Sequence, residues 1–210
     1  MTLVASLLAF LAAAGLLTLT PGVDTAMVLR AATVEGRRPA VMAAFGIAIG
    51  CLIWGAAVAL GLAAMIAAAP AAYLALKWAG AGYLLYLGVR LFLTPRRALA
   101  PDGAAAPGRR GSDLDALRRG LLTNLLNPKI GVFYVSFLPQ FVPSGLNVSA
   151  YSFLLACIHV AMSLAWFAVL IAATAPIGRF MTRPGVVTAM DRLTGCVFVA
   201  FGARLALARR

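Results

Sequence analysis

The chain has 210 residues, of which 63% are hydrophobic and 11% charged, against roughly 45–50% apolar and about 25% charged residues in a soluble domain. A soluble fold is excluded, and so is a β-barrel: the apolar runs last about 20 residues without alternating, the length a helix needs to cross a hydrocarbon core of about 30 Å. The net charge of +12 comes from arginines between apolar runs rather than a basic stripe interleaved with aromatics, so bilayer topology accounts for it and no nucleic-acid partner is expected.

The first span is expected over residues 2–31. No basic residue precedes it and the apolar run continues to Leu29, so it reads as a span rather than a cleaved signal peptide. Inside it, Thr20-Pro21-Gly22-Val23-Asp24 places a helix-capping residue directly before a proline, which predicts a break followed by a second half-helix started by Thr20 and Pro21. Such a break in a bilayer is costly unless it is buried in protein or lines a polar cavity.

The second span, residues 40–68, carries Gly46, Gly50, Gly55 and Gly61, small residues that let helices approach closely. Pro70 is expected to end it. The third span covers residues 73–93, with Lys77 and Trp78 at one end. Residues 94–113, with Arg96, Arg97, Arg109 and Arg110 among prolines and glycines, read as a cytoplasmic linker. It separates a first repeat, residues 1–93, from a second, residues 114–210.

The fourth span, residues 116–142, is interrupted at Asn127-Pro128-Lys129, which repeats the order of capping residue and proline. The fifth covers residues 150–175 and the sixth 186–207. Arginines crowd the first, third and fifth loops, while the second and fourth hold only Lys77; the odd loops are therefore expected in the cytoplasm and both termini outside.

Gly88-Val89-Arg90-Leu91-Phe92-Leu93 and Gly202-Ala203-Arg204-Leu205-Ala206-Leu207 share the pattern G-x-R-L-x-L. Subtracting 88 from 202 gives an offset of 114, and subtracting 21 from 128, the prolines of the two breaks, gives 107. Halves with an odd number of spans enter the membrane from opposite faces, so the expected fold is an all-α polytopic membrane protein: six transmembrane helices in a 3+3 inverted repeat, with helices 1 and 4 broken. Asp24 and Lys129 are read as the only carboxylate and the only ammonium well inside a span, and intramembrane charges mark function. Each break alone is an ordinary proline kink; two at symmetric depths, each beside a charge, are the arrangement of a secondary transporter.

The sequence resembles the LysE/RhtB family of amino-acid exporters through Leu19-Thr20-Pro21-Gly22-Val23-Asp24, Gly46-Ile47-Ala48-Ile49-Gly50, residues 80–90, Asn124-Leu125-Leu126-Asn127-Pro128-Lys129 and Phe137-Leu138-Pro139-Gln140-Phe141. Val23 stands where the family's first motif carries a second proline, which leaves that break less rigid. The resemblance implies export of amino acids or related metabolites across the cytoplasmic membrane, driven by an ion gradient, with the two proline motifs forming the central site.

The candidate substrate-binding residues are Thr20, Pro21, Gly22, Asp24, Asn124, Asn127, Pro128 and Lys129. A zwitterion would place its ammonium on Asp24 and its carboxylate on Lys129 and the backbone N–H groups after the prolines; in the empty state the two side chains would pair. The bland alternative is a structural salt bridge that locks the halves. His159 is either a coupling residue or a histidine hydrogen-bonded to a neighbouring helix, and Trp54 and Trp166 are either cavity walls or packing. Arg90 and Arg204 are expected to snorkel to headgroups.

Cys51, Cys157 and Cys196 lack any C-x-x-C spacing and read as small buried apolar residues. A membrane thiol-redox carrier is weakened because neither Cys51 nor Cys157 adjoins a break, and a cation or metal exporter by the scarcity of ligating residues inside the spans. No cofactor and no enzymatic constellation is expected. The partners are an amino-acid substrate and membrane lipid, and the glycine-rich faces leave room for a homodimer.

Overall fold

The computed structural model describes residues 2–68, 70–95, 112–173, 180 and 183–207. Residues 96–111 of the expected linker, Pro176 of the fifth loop, and Arg209 and Arg210 lie outside the described residues. Among the described residues every regular element is helical.

Helix α1 (Leu3–Leu19) begins where the Thr2 side chain accepts from the Ala5 N–H, and stops at Thr20, which is extended at φ −68° and ψ 118°. Pro21 explains the stop, because its ring disfavours helical backbone in the residue before it. Helix α2 (Val23–Arg30) runs on through a π-helical turn at Ala31–Glu35 and ends at Gly36. The φ of 109° there lies in the left-handed region that glycine adopts without strain.

Helix α3 (Arg37–Ala68) and helix α4 (Pro70–Leu93) follow. The second span ends at Ala68, ahead of Pro70 as expected, and Pro70 opens the next helix, at the position where a missing N–H costs nothing. A capping box between Ser112 and Asp115 starts helix α5 (Asp113–Leu125). After the second break comes the short helix α6 (Pro128–Val132), then a π-helical turn at Phe133–Phe137 and a 3₁₀ turn at Leu138–Phe141. Helix α7 (Val148–Ala172), capped by Asn147, and a helix at Pro184–Leu207, here α8, complete the chain.

Residues Arg37–Gly61, Val148–Ala172 and Pro184–Leu207 are each long and apolar enough to cross a membrane. Two bent pairs pass the same test jointly: Leu3–Leu19 with Val23–Glu35, bent by 51°, and Asp113–Leu125 with Lys129–Phe141, bent by 56°. Counting each pair as one span gives five among the described residues. The expected third span is represented by α4, whose apolar stretch Trp78–Leu93 is shorter.

Small residues set which helices touch. Helix α3 packs along α5 and α7, and α4 along α8. At the α3–α5 crossing Gly46 faces the carbonyl of Leu117, and Gly120 faces the carbonyl of Ala43, so closely that a Cβ at either would collide with backbone. At the α4–α8 crossing Gly88 faces Gly195 and Val199, while Gly202 faces Ala81 and Leu85.

At the arginine-bearing end, Arg119 pairs with Glu35 at 2.5 Å and Arg38 with Asp113 at 2.6 Å, tying the end of the first bent pair and the start of α3 to α5. The remote end is aromatic. Phe10, Phe133, Phe137 and Phe141 are fully buried; Phe137 lies 4.0 Å from Phe201 and 4.9 Å from Phe133 between ring centroids, and Phe10 lies 5.5 Å from Phe141. The Ser6 hydroxyl donates to the Phe141 carbonyl and lies 3.0 Å from the Tyr151 hydroxyl.

Candidate functional site

The two breaks meet. At the second, the sequence reading holds in detail: Asn127 is extended, its Oδ1 accepts from the Lys129 N–H at 3.1 Å, and Pro128 takes the first helical position. The first break differs. Thr20 does not cap α2 but closes α1, its Oγ1 donating back to the Leu16 carbonyl at 2.6 Å and lying 2.5 Å from Thr194 Oγ1 on α8. Helix α2 starts at Val23, with Gly22 extended in the cap position and no side-chain cap bond. The first N–H groups of α2 are therefore left without a side-chain cap at the break.

Asp24 lies in the first turn of α2 and is buried, where the helix dipole favours a carboxylate. The expected partner was Lys129. The carboxylate accepts from two amides of the opposite break: Asn124 Nδ2 donates at 2.8 Å and Asn127 Nδ2 at 3.3 Å. Lys129 Nζ reaches the carbonyl oxygens of Thr20 at 3.4 Å and Leu17 at 3.5 Å. These carbonyls end α1, where the dipole favours a cation. The ammonium thus escapes the unfavourable start of its own helix by lying at the end of another.

Around these groups is a space of about 40 Å³ whose lining includes Thr20, Gly22, Asp24, Asn127, Lys129 and His159. Since one water needs roughly 10–15 Å³ by this measure, it holds about three waters. His159 is buried on α7 and its Nδ1 lies 2.9 Å from the Tyr134 hydroxyl, so it is hydrogen-bonded to a neighbouring helix while also facing the central space. Trp54 and Trp166 are not among the residues lining that space; Trp54 packs over Gly131, where a Cβ would come within 3.0 Å of its ring. Gln140 donates to the Ser136 carbonyl at 2.8 Å, away from the breaks.

Cys51 is buried against the Asn124 amide at 3.3 Å, Cys157 is half-buried and Cys196 exposed, and all three are free thiols. Among the described residues no group of three or more His, Cys, Asp or Glu side chains is placed to hold a metal ion.

Gly50 lies against Asn124, and a Cβ there would fall 2.6 Å from Asn124 Oδ1. The atom displaced belongs to a side chain rather than to backbone. Gly50→Ala is therefore expected to leave folding nearly intact but to turn the amide away from Asp24. Transport should fall by roughly tenfold, the equivalent of one charge-assisted hydrogen bond of about 1.5 kcal/mol, read as an initial efflux rate in vesicles.

One charged residue at the break was not foreseen. Asp191, on α8, is fully buried and lies in the wall of a second, larger cavity that also contains Lys129. It falls inside the sixth expected span, so Asp24 is not the only intramembrane carboxylate. The missed signal was its spacing of three residues from Thr194, which puts both on the α8 face that meets Thr20.

A membrane bundle whose interrupted helices bring opposite charges to one shared space has the form of a transport protein rather than an anchor or a receptor stalk. The chain belongs to the family of LysE type translocators, whose pattern matches residues 6–209. The leucine efflux protein of Klebsiella pneumoniae is 32% identical over 95% of this chain and 93% of its own length. That of Enterobacter sp. is 33% identical over 90% of this chain and 89% of its own, and the membrane protein YrhP of Bacillus subtilis is 29% identical over 96% and 99%. No solved structure matches the chain.

Proposed function

We propose that this protein exports amino acids or related metabolites across the cytoplasmic membrane, binding the zwitterionic part of its substrate between Asp24 and Lys129. The observation that carries the reading is the meeting of the breaks: Asp24 from the first is held by Asn124 and Asn127 beside the second, while Lys129 from the second reaches the last carbonyls of α1. The substrate ammonium joins the two amide donors on Asp24, whose carboxylate oxygens have acceptor sites to spare. Its carboxylate takes Lys129 and the uncapped N–H groups that open α2. Two leucine efflux proteins among the relatives support an amino-acid substrate.

The six spans are arranged as two inverted halves, residues 1–93 and 114–210, with the arginine-bearing loops in the cytoplasm and both termini outside. The α4–α8 crossing supports this. Adding 114 to 88, 81 and 85 gives 202, 195 and 199, so the contacts of Gly88 with Gly195 and Val199 map onto those of Gly202 with Ala81 and Leu85. The offset is the one that aligns the two G-x-R-L-x-L segments. A proton gradient drives the cycle, with the carboxylate and ammonium at the breaks as the groups closest to the substrate.

The test is efflux of labelled amino acids from vesicles containing the purified protein under an imposed pH gradient, with a sodium gradient in parallel. Gradient-driven movement of at least one amino acid is expected. Failure to move any amino acid under either gradient would sink the reading, and movement under sodium alone would sink the choice of ion.

A further inference from the structure

Lys129 borders two cavities. Beyond the small central space, a cleft of about 310 Å³ opens on the other side of the break. The two share Thr20, Gly22, Asn127 and Lys129. About 40 Å³ admits a few waters, whereas about 310 Å³ reaches the range of small-molecule sites, which begins near 300 Å³. Of these two spaces, the larger is the one with room for the side chain of an amino acid held at Lys129.

The chemistry of that space is selective. Leu87 and Leu91 stand one turn apart on α4, partly buried, and Val23 opens α2; together they give the cleft an apolar surface. Its remaining charged members are Arg90, which is exposed, and Asp191, which is fully buried and offers no surface to an occupant. A basic side chain entering here meets Lys129 and Arg90 without an accessible carboxylate. An uncharged polar side chain gives up hydrogen bonds to water against Leu87, Leu91 and Val23. An apolar side chain loses nothing.

We propose that this cleft is the side-chain subsite of the transporter, that it takes amino acids with an apolar side chain, and that Leu87 and Leu91 determine that preference while Arg90 rejects basic substrates. The assignment rests on the reading that Asp24 and Lys129 hold the substrate's charged groups. Arg90, which the sequence reading sent to the lipid headgroups, here guards the entrance to the cleft.

The experiment compares efflux of labelled leucine, asparagine and lysine from vesicles containing the full chain. The parent is expected to favour leucine over asparagine by at least about tenfold, within the range a hydrophobic pocket achieves. Leu87→Asn with Leu91→Asn should shrink that ratio by about tenfold, and Arg90→Gln should raise lysine efflux severalfold. Should the asparagine substitutions impair folding, Leu87→Trp is the second variant: it fills the cleft, and is expected to block leucine while efflux of labelled alanine persists. Unchanged selectivity in a folded variant, the result if a lipid chain occupies the cleft, overturns the assignment. If Asp24→Asn still abolishes all efflux in that case, the central site stands without this subsite. If Asp24→Asn leaves efflux intact, the central site itself has failed.

Discussion

The double variant Asp24→Asn with Lys129→Met is expected to fold as well as the parent and to lose transport by at least about 100-fold. Each charge at the centre of a span costs about 2.5–3.5 kcal/mol on insertion scales. Removing both charges removes both of these costs, so the double variant should be no less stable than either single one. Transport behaves differently. A charge-assisted hydrogen bond contributes about 1.5–3 kcal/mol, roughly 10- to 150-fold in rate, and the double variant loses one such bond to each end of the zwitterion.

Monodispersity and thermal stability in detergent measure the first half of this prediction, and vesicle efflux the second. Transport at the parental rate in the double variant would reduce Asp24 and Lys129 to a lock between the halves. The amides of Asn124 and Asn127 argue against a lock, because a carboxylate that serves only to pair with an ammonium does not require two neutral donors as well.

The second large effect is structural. Gly120→Ala is expected to cost about 3 kcal/mol, because the added methyl group meets the Ala43 carbonyl and neither helix backbone can yield without separating α3 from α5. That is the upper part of the range of about 1–3 kcal/mol for overpacking, and corresponds to a fall of roughly 6–12 °C in melting temperature for a chain of this size. Gly46→Ala, which meets the Leu117 carbonyl across the same crossing, should behave alike. Gly82→Ala is the control, since nothing lies within 4 Å of a Cβ there; its expected change is under about 1 kcal/mol. Equal melting temperatures for Gly120→Ala and Gly82→Ala would show that the crossing is looser than the contacts imply. Gly120 is one turn before Asn124, so a displaced α5 also moves the amide on Asp24, and transport should fall with stability.

Much of this was legible from local chemistry. Long apolar runs announce spans, and Asn127-Pro128 announces a helix start because both the cap and the missing N–H act within three residues. What escaped depended on partners distant in sequence. Thr20 has the right side chain for a cap, but a threonine on another helix, Thr194, competes for its hydroxyl and α2 begins two residues later. Lys129 looked badly placed at the start of a half-helix, and only the fold brings the end of α1 to it. Asp191 lay inside the expected sixth span but was not singled out, because only the fold brings α8 to the breaks. Gly46 and Gly50 were read correctly as sites of close approach, but nothing in their spacing names α5 as the partner.

The phenylalanine cluster has a bearing on how the molecule keeps its two sides apart. Ring packed on ring, from Phe10 through Phe133, Phe137 and Phe141 to Phe201, presents hydrocarbon where a file of waters would need donors and acceptors. In the proposed export cycle this packing makes that end of the bundle the insulated one in this conformation, narrowing the path by which ions could leak past the substrate site. On the proposed function, substrate would leave there when the rings part, and the π-helical and 3₁₀ turns that carry three of them are irregular backbone suited to swing aside.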